Sequence, residues 1–241
     1  VEALQIPMFG LYGACSTSGE ALALASMSAA AGYGGTMIAV TSSHFGSAEK
    51  EFRFPLGYAN QRPLSSHWTV TGSGAFLVQS AEEYRKQNTK SYFSNIRITG
   101  VTVGKIVDYG LKDSQNMGAC MAPAAMDTIV QNFQDMERKE KDYDRIITGD
   151  LGSIGRTILF DLIREKGYDI CEKHMDCGMT IFDKERQDTQ AGGSGCGCAA
   201  VTLASYVLPK LEKGEWKRVL FVPTGALMST VSFNEGASVP G

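Results

Sequence analysis

Residues 13–31 read GACSTSGEALALASMSAAA, a stretch made mostly of small residues. Residues 6–12 before it are apolar and are predicted to form a strand, while Gly34-Gly35 after it ends the helix that the small residues predict. Residues 36–41 then predict a short buried strand. A helix made mostly of alanine and serine suits a position where other elements press on every side. The stretch therefore indicates the buried central helix of an α/β protein.

The second half of the chain repeats this order. Gly195-Cys196-Gly197-Cys198 opens another helix rich in small residues. The strands predicted after the two helices are residues 36–41 and 74–79 in the first half and residues 218–223 and 229–233 in the second. A repeat longer than about 50 residues indicates a duplicated domain and not a solenoid. We therefore predict an α/β fold of two duplicated halves, residues 1–110 and 111–241, layered around buried central helices.

The rest of the chain alternates between strands and helices. Residues 42–66 are polar and irregular, so we expect a loop there. Residues 91–109 are rich in β-branched side chains that alternate, which predicts a long strand or a strand pair. The other predicted elements are strands at residues 68–70 and 145–148 and helices at residues 119–137 and 154–166.

The composition excludes several classes of protein. The chain has 43% hydrophobic and 20% charged residues, which is ordinary for globular proteins. A net charge of -3 offers no attraction for nucleic acid. No stretch reaches the roughly 18 apolar residues that a membrane-spanning helix needs. The six cysteines form no dense disulfide framework, so we expect a reduced, intracellular protein.

Cys15 is the first candidate for a functional residue, because it stands between a predicted strand and the helix of small residues. The positive end of a helix favours a thiolate and presents free backbone N–H groups to a ligand. A structural interpretation is equally open, in which Cys15 is a buried small residue and Thr17-Ser18-Gly19-Glu20 is a capping box. The spacing alone does not separate these two interpretations.

Three segments resemble the thiolase superfamily, which includes the ketoacyl synthases. Gly13-Ala14-Cys15-Ser16 is similar to its nucleophile segment. Thr71-Gly72-Ser73-Gly74-Ala75 and Pro223-Thr224-Gly225-Ala226 are similar to its glycine-rich turns. The resemblance covers nearly the whole chain and implies a thiolase-like fold. Because it starts just before the nucleophile, we expect the first strands of the first half to precede Val1.

The resemblance also implies catalytic partners that this sequence lacks. In the superfamily a cysteine takes the acyl group, and a His–His or His–Asn pair supports decarboxylation or proton transfer. The histidine position corresponds to Gly149 here, and the asparagine position corresponds to Gly193. A glycine cannot transfer a proton through a side chain, so we expect binding without catalysis. We also expect the missing side chains to leave a larger pocket.

Further segments resemble a sporulation branch of the superfamily from endospore-forming bacteria. They are residues 13–18, Thr41-Ser42-Ser43-His44-Phe45, residues 117–124 and Gly149-Asp150-Leu151-Gly152. The resemblance implies a protein that binds dipicolinic acid, a pyridine dicarboxylate, and helps move it into the developing spore. It also implies membrane-embedded partners of the same spore channel and a peripheral position at the spore inner membrane. Superfamily members commonly dimerise through the strand at residues 36–41, which leaves a homodimer open.

Dipicolinate would need partners for two carboxylates. The helix that begins near Cys15 offers backbone N–H groups for one, and His44, Arg53 or Arg156 would face the other. Arg156 could instead pair with Asp161 at the surface, and His44 could be a hydrogen-bonded loop residue. The candidate ligand-binding residues are Cys15, Ser16, His44, Gly149, Asp150, Arg156 and Gly193.

Other interpretations stay open. Asp150 is an unfavourable neighbour for a dianion unless calcium lies between them, and it could instead cap the helix that follows. A working acyltransferase would need His44 or His174 in place of the missing histidine, whereas a scaffold subunit would bind no dicarboxylate at all. The spacing of the later cysteines and His174 is not that of a zinc site, and we expect no cofactor. These residues are Cys171, His174, Cys177, Cys196 and Cys198.

Overall fold

The computed structural model describes residue 3 and residues 5–51, 62–86 and 96–241. A 3-10 turn at Ala14–Ser16 leads into the first helix. The helices are α1 (Thr17–Ala30), α2 (Phe45–Glu51), α3 (Ala81–Lys86), α4 (Met117–Asp135), α5 (Gly152–Glu165), α6 (Cys177–Ile181), α7 (Cys196–Thr202), α8 (Leu208–Glu212) and α9 (Thr230–Asn234). The strands are β1 (Thr36–Ser43), β2 (His67–Thr69), β3 (Gly72–Gln79), β4 (Arg145–Thr148), β5 (His174–Asp176), β6 (Gly192–Ser194) and β7 (Val219–Val222). A π-helical segment, Leu203–Val207, joins α7 to α8.

The described strands form three sheets. β1 and β3 are antiparallel, with Thr36 opposite Gln79 and Ser43 opposite Gly72. β5, β4 and β7 form a parallel sheet in that order. β2 pairs in parallel with β6, so this short sheet joins a strand from the first half of the chain to one from the second. The two halves are therefore linked by backbone hydrogen bonds as well as by side-chain packing.

The helices α1 and α7 lie at the centre, and their small residues allow close packing. α7 packs against α1, β1 and β3. A Cβ atom placed on Gly74 would lie only 2.8 Å from the Cβ atom of Ala200. This is closer than carbon atoms approach, so a side chain at position 74 would push β3 away from α7. The predicted central helices of small residues are confirmed.

The second half has its own core between α4, α5 and the parallel sheet. Ile129 of α4, Ile146 of β4 and Leu159 of α5 are fully buried. Each such side chain contributes about 2 kcal/mol through its burial. α4 and α5 touch backbone to backbone where they cross, because a Cβ atom on Gly118 would lie 2.5 Å from the Leu151 carbonyl oxygen. This packing fixes the start of α5, which carries part of the candidate site.

Most predicted elements are confirmed, with differences of one to three residues at their ends, and β4 has the predicted bounds. Residues 6–12 are not a strand: they have no strand partner among the described residues, and Phe9 is 82% exposed. Residues 96–109 are also not a strand, while residues 91–95 lie outside the described residues. The predicted strand at 229–233 is instead α9, because the Ser229 side chain accepts from the Ser232 N–H and caps a helix. The predicted loop at 42–66 contains α2.

The outer face of β1 is apolar. Ile38 is 50% exposed and Val40 is 59% exposed. The alternate residues of the strand, Ala39 and Thr41, are buried. This alternation is that of a strand with one face covered. Among the described residues, no helix is both long enough and apolar enough to cross a bilayer.

Candidate functional site

The beginnings of the two central helices meet at Cys15 and Ser194. Cys15 lies two residues before the start of α1, and Ser194 lies two residues before the start of α7. The Cys15 Sγ atom is 3.5 Å from the Ser194 Oγ atom, and both residues are buried. Two residues that hold the same position relative to the two central helices are therefore in direct contact.

Asp150 is the next residue in this hydrogen-bonded chain. The Ser194 hydroxyl donates to Asp150 Oδ2 in a short hydrogen bond, and the Gly195 N–H donates to the same oxygen at 3.0 Å. Thr224 Oγ1 donates to Asp150 Oδ1 at 2.8 Å. Asp150 is 1% exposed, and its carboxylate is held by three donors, from the end of β6, the N-cap of α7 and the segment after β7. Burial of a carboxylate requires such partners, which makes Asp150 the anchor of the site.

The direction of these bonds fixes the state of the thiol. A serine hydroxyl carries one hydrogen, and Ser194 gives it to Asp150. Ser194 Oγ can then only accept from Cys15, so the thiol must carry its proton to make this contact. The sequence-based expectation of a thiolate at a helix terminus is therefore not supported by the local hydrogen bonds.

The N-terminus of α1 is also built differently from the predicted capping box. Thr17 is the first residue of the helix, and its Oγ1 donates to the Ala14 carbonyl oxygen at 2.7 Å. Ser16 occupies the N-cap position, and its Oγ is 3.2 Å from Glu20 Oε1. A Cβ atom on Gly13 would overlap this carboxylate. The exposed Glu20 carboxylate therefore lies where the resemblance predicts an anionic ligand.

The two glycines at the positions of the missing catalytic partners leave no open space. A Cβ atom on Gly149 would lie 2.9 Å from the Thr224 backbone nitrogen and 3.0 Å from Pro223 Cα. A Cβ atom on Gly193 would lie 2.8 Å from Ile181 Cγ2. The expected enlargement of the pocket is therefore wrong, because neighbouring backbone and apolar side chains fill both places.

Asp176 is a second buried carboxylate that the sequence does not single out. Thr148 Oγ1 and the Leu151 N–H donate to its Oδ2 at 2.7 and 2.9 Å. The Gly152 and Met179 N–H groups donate to its Oδ1 at 3.2 and 3.0 Å. Burial raises the pKa of this carboxyl to about 6 despite these donors. Asp176 thereby joins the start of α5 to the start of α6.

The three histidines lie in different surroundings. His44 is exposed in the loop after β1, and its Nδ1 accepts from the Gly46 N–H at 3.0 Å. His67 is fully buried in β2, beside Gly152. His174 begins β5, and its Nε2 is 3.0 Å from Thr148 Oγ1. His67, which the sequence does not single out as a candidate, lies two residues before the point where β2 faces Ser194.

The remaining cation candidates do not join Cys15. Arg156 lines a separate cavity, and the lining of that cavity contains none of the other candidate ligand-binding residues. Asp161, its expected surface partner, instead pairs with Arg164 at 3.4 Å. Arg53 lies outside the described residues. The structure thus joins Cys15 and Asp150 through Ser194, places Ser16, Gly149 and Gly193 next to them in the chain, and leaves His44 and Arg156 apart.

The cysteines form neither a disulfide nor a metal cluster in the part of the chain that the structure describes. All six are thiols outside any disulfide. No three His, Cys, Asp or Glu side chains among the described residues come together as a metal site. Burial raises the pKa of the Cys177 and Cys198 thiols well above the ordinary value, which disfavours their thiolates.

Comparison with known proteins identifies the family. The family model for stage V sporulation protein AD matches residues 1–241. The stage V sporulation protein AD of Bacillus subtilis (strain 168) is 42% identical over 237 residues, which cover 98% of this chain and 67% of the relative. The solved 3-oxoacyl-[acyl-carrier-protein] synthase III from Aquifex aeolicus VF5 has a TM-score of 0.56 at 13% identity, over 99% of this chain and 67% of that one. This structural likeness confirms the thiolase-like fold that the sequence predicts. The chain belongs to the stage V sporulation protein AD family.

Proposed function

We propose that this sporulation protein uses its thiolase-like fold to bind dipicolinic acid and not to catalyse acyl transfer. The bound dipicolinate would be delivered to the developing spore. The observation that carries the proposal is the hydrogen-bonded chain from Cys15 through Ser194 to Asp150. A condensing enzyme needs a base that takes the proton from its nucleophile. Here Ser194 Oγ, 3.5 Å from the thiol, can accept a hydrogen bond from it but is too weak a base to remove its proton.

The surroundings of Cys15 favour the calcium chelate of dipicolinate over the free dianion. The helix α1 offers a positive N-terminus, which would attract a carboxylate. The Glu20 carboxylate lies at the same place and would repel it. Calcium prefers carboxylate oxygens, and its chelate with a dianion carries no net charge. Glu20 would then contribute a further oxygen ligand in place of a repulsion.

The test is a calorimetric titration of the protein with dipicolinate, with and without calcium. Saturable binding that is tighter with calcium is the expected result. Glu20→Gln should shrink the difference between the two titrations, while Glu185→Gln, at another exposed carboxylate, should leave it unchanged. Cys15→Ala should keep the fold and weaken binding through the local shape. If neither titration shows saturable heat, the protein is a scaffold with a vestigial pocket and the proposal fails.

The second candidate function is an active acyltransferase, and His67 is the observation that favours it. This imidazole is fully buried in the strand that pairs with β6, the strand that ends at Ser194. A thioester assay with acetyl- and malonyl-coenzyme A, combined with iodoacetamide labelling of Cys15, separates the two functions. Turnover that is lost in both Cys15→Ala and His67→Gln would establish an enzyme and contradict binding alone.

The proposed setting is the spore inner membrane, where the protein would be attached peripherally to membrane-embedded channel proteins. A homodimer would form through the exposed apolar face of β1, where Ile38 and Val40 alternate with buried residues. Val40→Asp should convert such a dimer to a monomer in analytical ultracentrifugation. A monomer at all concentrations of the unaltered protein would contradict the dimer.

A further inference from the structure

A cavity lies beside β5, and neither Cys15 nor Ser194 lines it. Its volume is about 390 Å³, and residues of α5, β5, α6 and the helical segment from Leu203 to Glu212 line it. The lining residues are Arg145, Arg156, His174, Met175, Asp176, Met179, Thr180, Tyr206, Lys210 and Trp216. This volume is sufficient for a small ligand.

The charge of the cavity is positive. Arg145, Arg156 and Lys210 line it, against the single carboxylate of Asp176. Both Asp176 oxygens are already occupied by donors from the protein. Lys210 is paired with Glu215 at 2.7 Å, outside the lining, so the two arginines carry most of the remaining charge. Such a cavity attracts anions.

Two buried polar atoms of the lining have no hydrogen-bond partner among the described residues. They are Arg156 Nε, which is a donor, and His174 Nδ1. Thr148 Oγ1 donates its one hydrogen to Asp176, so it must accept from His174 Nε2–H. In the neutral imidazole, Nδ1 is then an acceptor. Burial and the nearby Arg156 charge lower the pKa of His174 to about 3, so this ring is neutral at physiological pH.

We propose that this cavity binds a phosphoryl group that still carries a proton. A phosphate oxygen would accept from Arg156 Nε–H, and a P–OH group would donate to His174 Nδ1. The remaining positive charge of Arg145 would balance the anion. Inorganic phosphate and a phosphate monoester share this chemistry. The site is separate from the proposed dipicolinate site, since no residue of that site lines the cavity.

The pair of unpartnered atoms explains why a protonated phosphate is preferred over other anions. Sulfate has the tetrahedral shape of phosphate, and a carboxylate is also an anion. Neither carries a hydrogen at neutral pH, so each would place an acceptor atom against the lone pair of His174 Nδ1. Leaving a buried acceptor unpaired costs about 1–3 kcal/mol. We therefore expect phosphate to bind about five- to a hundredfold more tightly than sulfate.

The experiment is a calorimetric titration of the unaltered full-length protein at several pH values. The titrants are sodium phosphate, sodium sulfate and phenyl phosphate. His174→Gln retains a donor for Thr148 at the position of Nε2 but has no atom at Nδ1. It should weaken phosphate binding about tenfold and leave sulfate binding unchanged. Arg156→Gln should weaken both anions, while Arg164→Gln, at an exposed arginine outside the cavity, should weaken neither.

The pH series separates the two phosphate sources. Asp176 also lines the cavity, and its pKa of about 6 means that it ionises over the same pH range and weakens both ligands alike. A phosphate monoester loses its last proton near pH 6 while inorganic phosphate retains one, so binding of phenyl phosphate should fall more steeply above pH 6 than binding of inorganic phosphate. Equal affinity for phosphate and sulfate would overturn the role of His174. Phosphate binding that Arg156→Gln leaves intact would overturn the site. Dipicolinate binding is expected to survive Arg156→Gln, so failure here does not imply failure of the proposed function.

Discussion

Asp150 receives the only hydroxyl hydrogen of Ser194, and this leaves Ser194 as an acceptor for the Cys15 thiol. The Asp150 carboxylate therefore determines that Cys15 is the donor and Ser194 the acceptor in the hydrogen bond between them, although Asp150 does not touch the sulfur. In an acyl-transferring enzyme the corresponding group would take the proton from the nucleophile. In this protein the hydrogen bonds of Asp150 and Ser194 instead favour the protonated thiol of Cys15.

The first prediction concerns the reactivity of this thiol. In Asp150→Asn the amide oxygen can still accept from Ser194 and Gly195, and the NH2 group can donate to Thr224 Oγ1. The substitution therefore keeps the hydrogen bonds of the site but removes a buried negative charge, which favours the thiolate of Cys15. Iodoacetamide should therefore alkylate Cys15 about tenfold faster at pH 7, the change that about 1.4 kcal/mol produces. The rate is followed for each cysteine peptide by mass spectrometry.

Cys171 serves as the internal reference in the same sample, because its partners are Arg164 and Asp169 and not the site. Its labelling rate should be the same in both proteins. An unchanged or slower rate at Cys15, with the fold intact by circular dichroism, would show that Asp150 does not hold the thiol protonated.

The second prediction compares the two glycines at the positions of the missing catalytic side chains. Gly149→Ala places its methyl against backbone atoms of Pro223 and Thr224, which cannot move independently. Gly193→Ala meets side-chain atoms of Ile181, Phe182 and Val70, which can shift by a few tenths of an ångström. We expect Gly149→Ala to lower the free energy of unfolding by about 2–3 kcal/mol and Gly193→Ala by about 1 kcal/mol, in the range of overpacking mutations.

Urea denaturation measures both changes, with Gly214→Ala as the comparison at an open surface turn. The substitution there meets no atom but carries a positive φ, so its cost comes from the backbone alone. If Gly149→Ala were as stable as the unaltered protein, the space beside Gly149 would be open and the larger pocket inferred from the resemblance would be correct.

Local patterns were sufficient to predict α4, β4, α5 and β7 to within two residues of their bounds. Arg145–Thr148 is β-branched, lies between polar segments and is buried as its pattern predicts. Residues 6–12 are equally apolar, but a strand needs a partner, and sequence hydrophobicity does not show whether one is present. Ser229 begins a helix because its hydroxyl caps it, which outweighed the β-branched residues that follow.

The site was only partly predictable. Cys15 and Asp150 could be found because each stands at a recognisable motif. Ser194 was missed because the resemblance drew attention to Gly193, its neighbour. Its position could have been inferred from the predicted repeat, since Cys15 and Ser194 both lie two residues before a central helix. The role of Asp176 depends on four donors from three separate segments, and no local pattern contains that information.

The third prediction concerns His174 and acid. Its pKa is about 3 in the folded protein, against an ordinary histidine value of 6.5 that the unfolded chain retains, so the unfolded chain takes up a proton first as the pH falls. The stability that the neutral ring contributes is therefore complete above pH 6.5 and is lost progressively toward pH 3. Between pH 7 and 5 the loss should be about 2 kcal/mol.

The measurement is urea denaturation of the protein and of His174→Gln at each pH. Glutamine does not titrate, so the difference in unfolding free energy between the two proteins isolates the contribution of the histidine. This difference should fall as the pH falls from 7 to 5. A difference that stays constant would mean that His174 is protonated in the folded state as readily as in the unfolded one.

The last prediction concerns Asp176, whose pH dependence has the opposite sign. Its pKa is raised by burial from 3.8 to about 6, so the folded protein holds a proton that the unfolded chain releases. The stability gained from the protonated carboxyl is complete below pH 3.8 and is lost as the pH rises through about 6. Asp176→Asn cannot titrate and cannot accept all four hydrogen bonds, so it should be less stable at every pH. Its deficit in unfolding free energy should be larger at pH 4 than at pH 7, by up to roughly 3 kcal/mol. A deficit that instead grows from pH 4 to pH 7 would show that the four donors outweigh burial and that the carboxylate is stabilised in its ionised form.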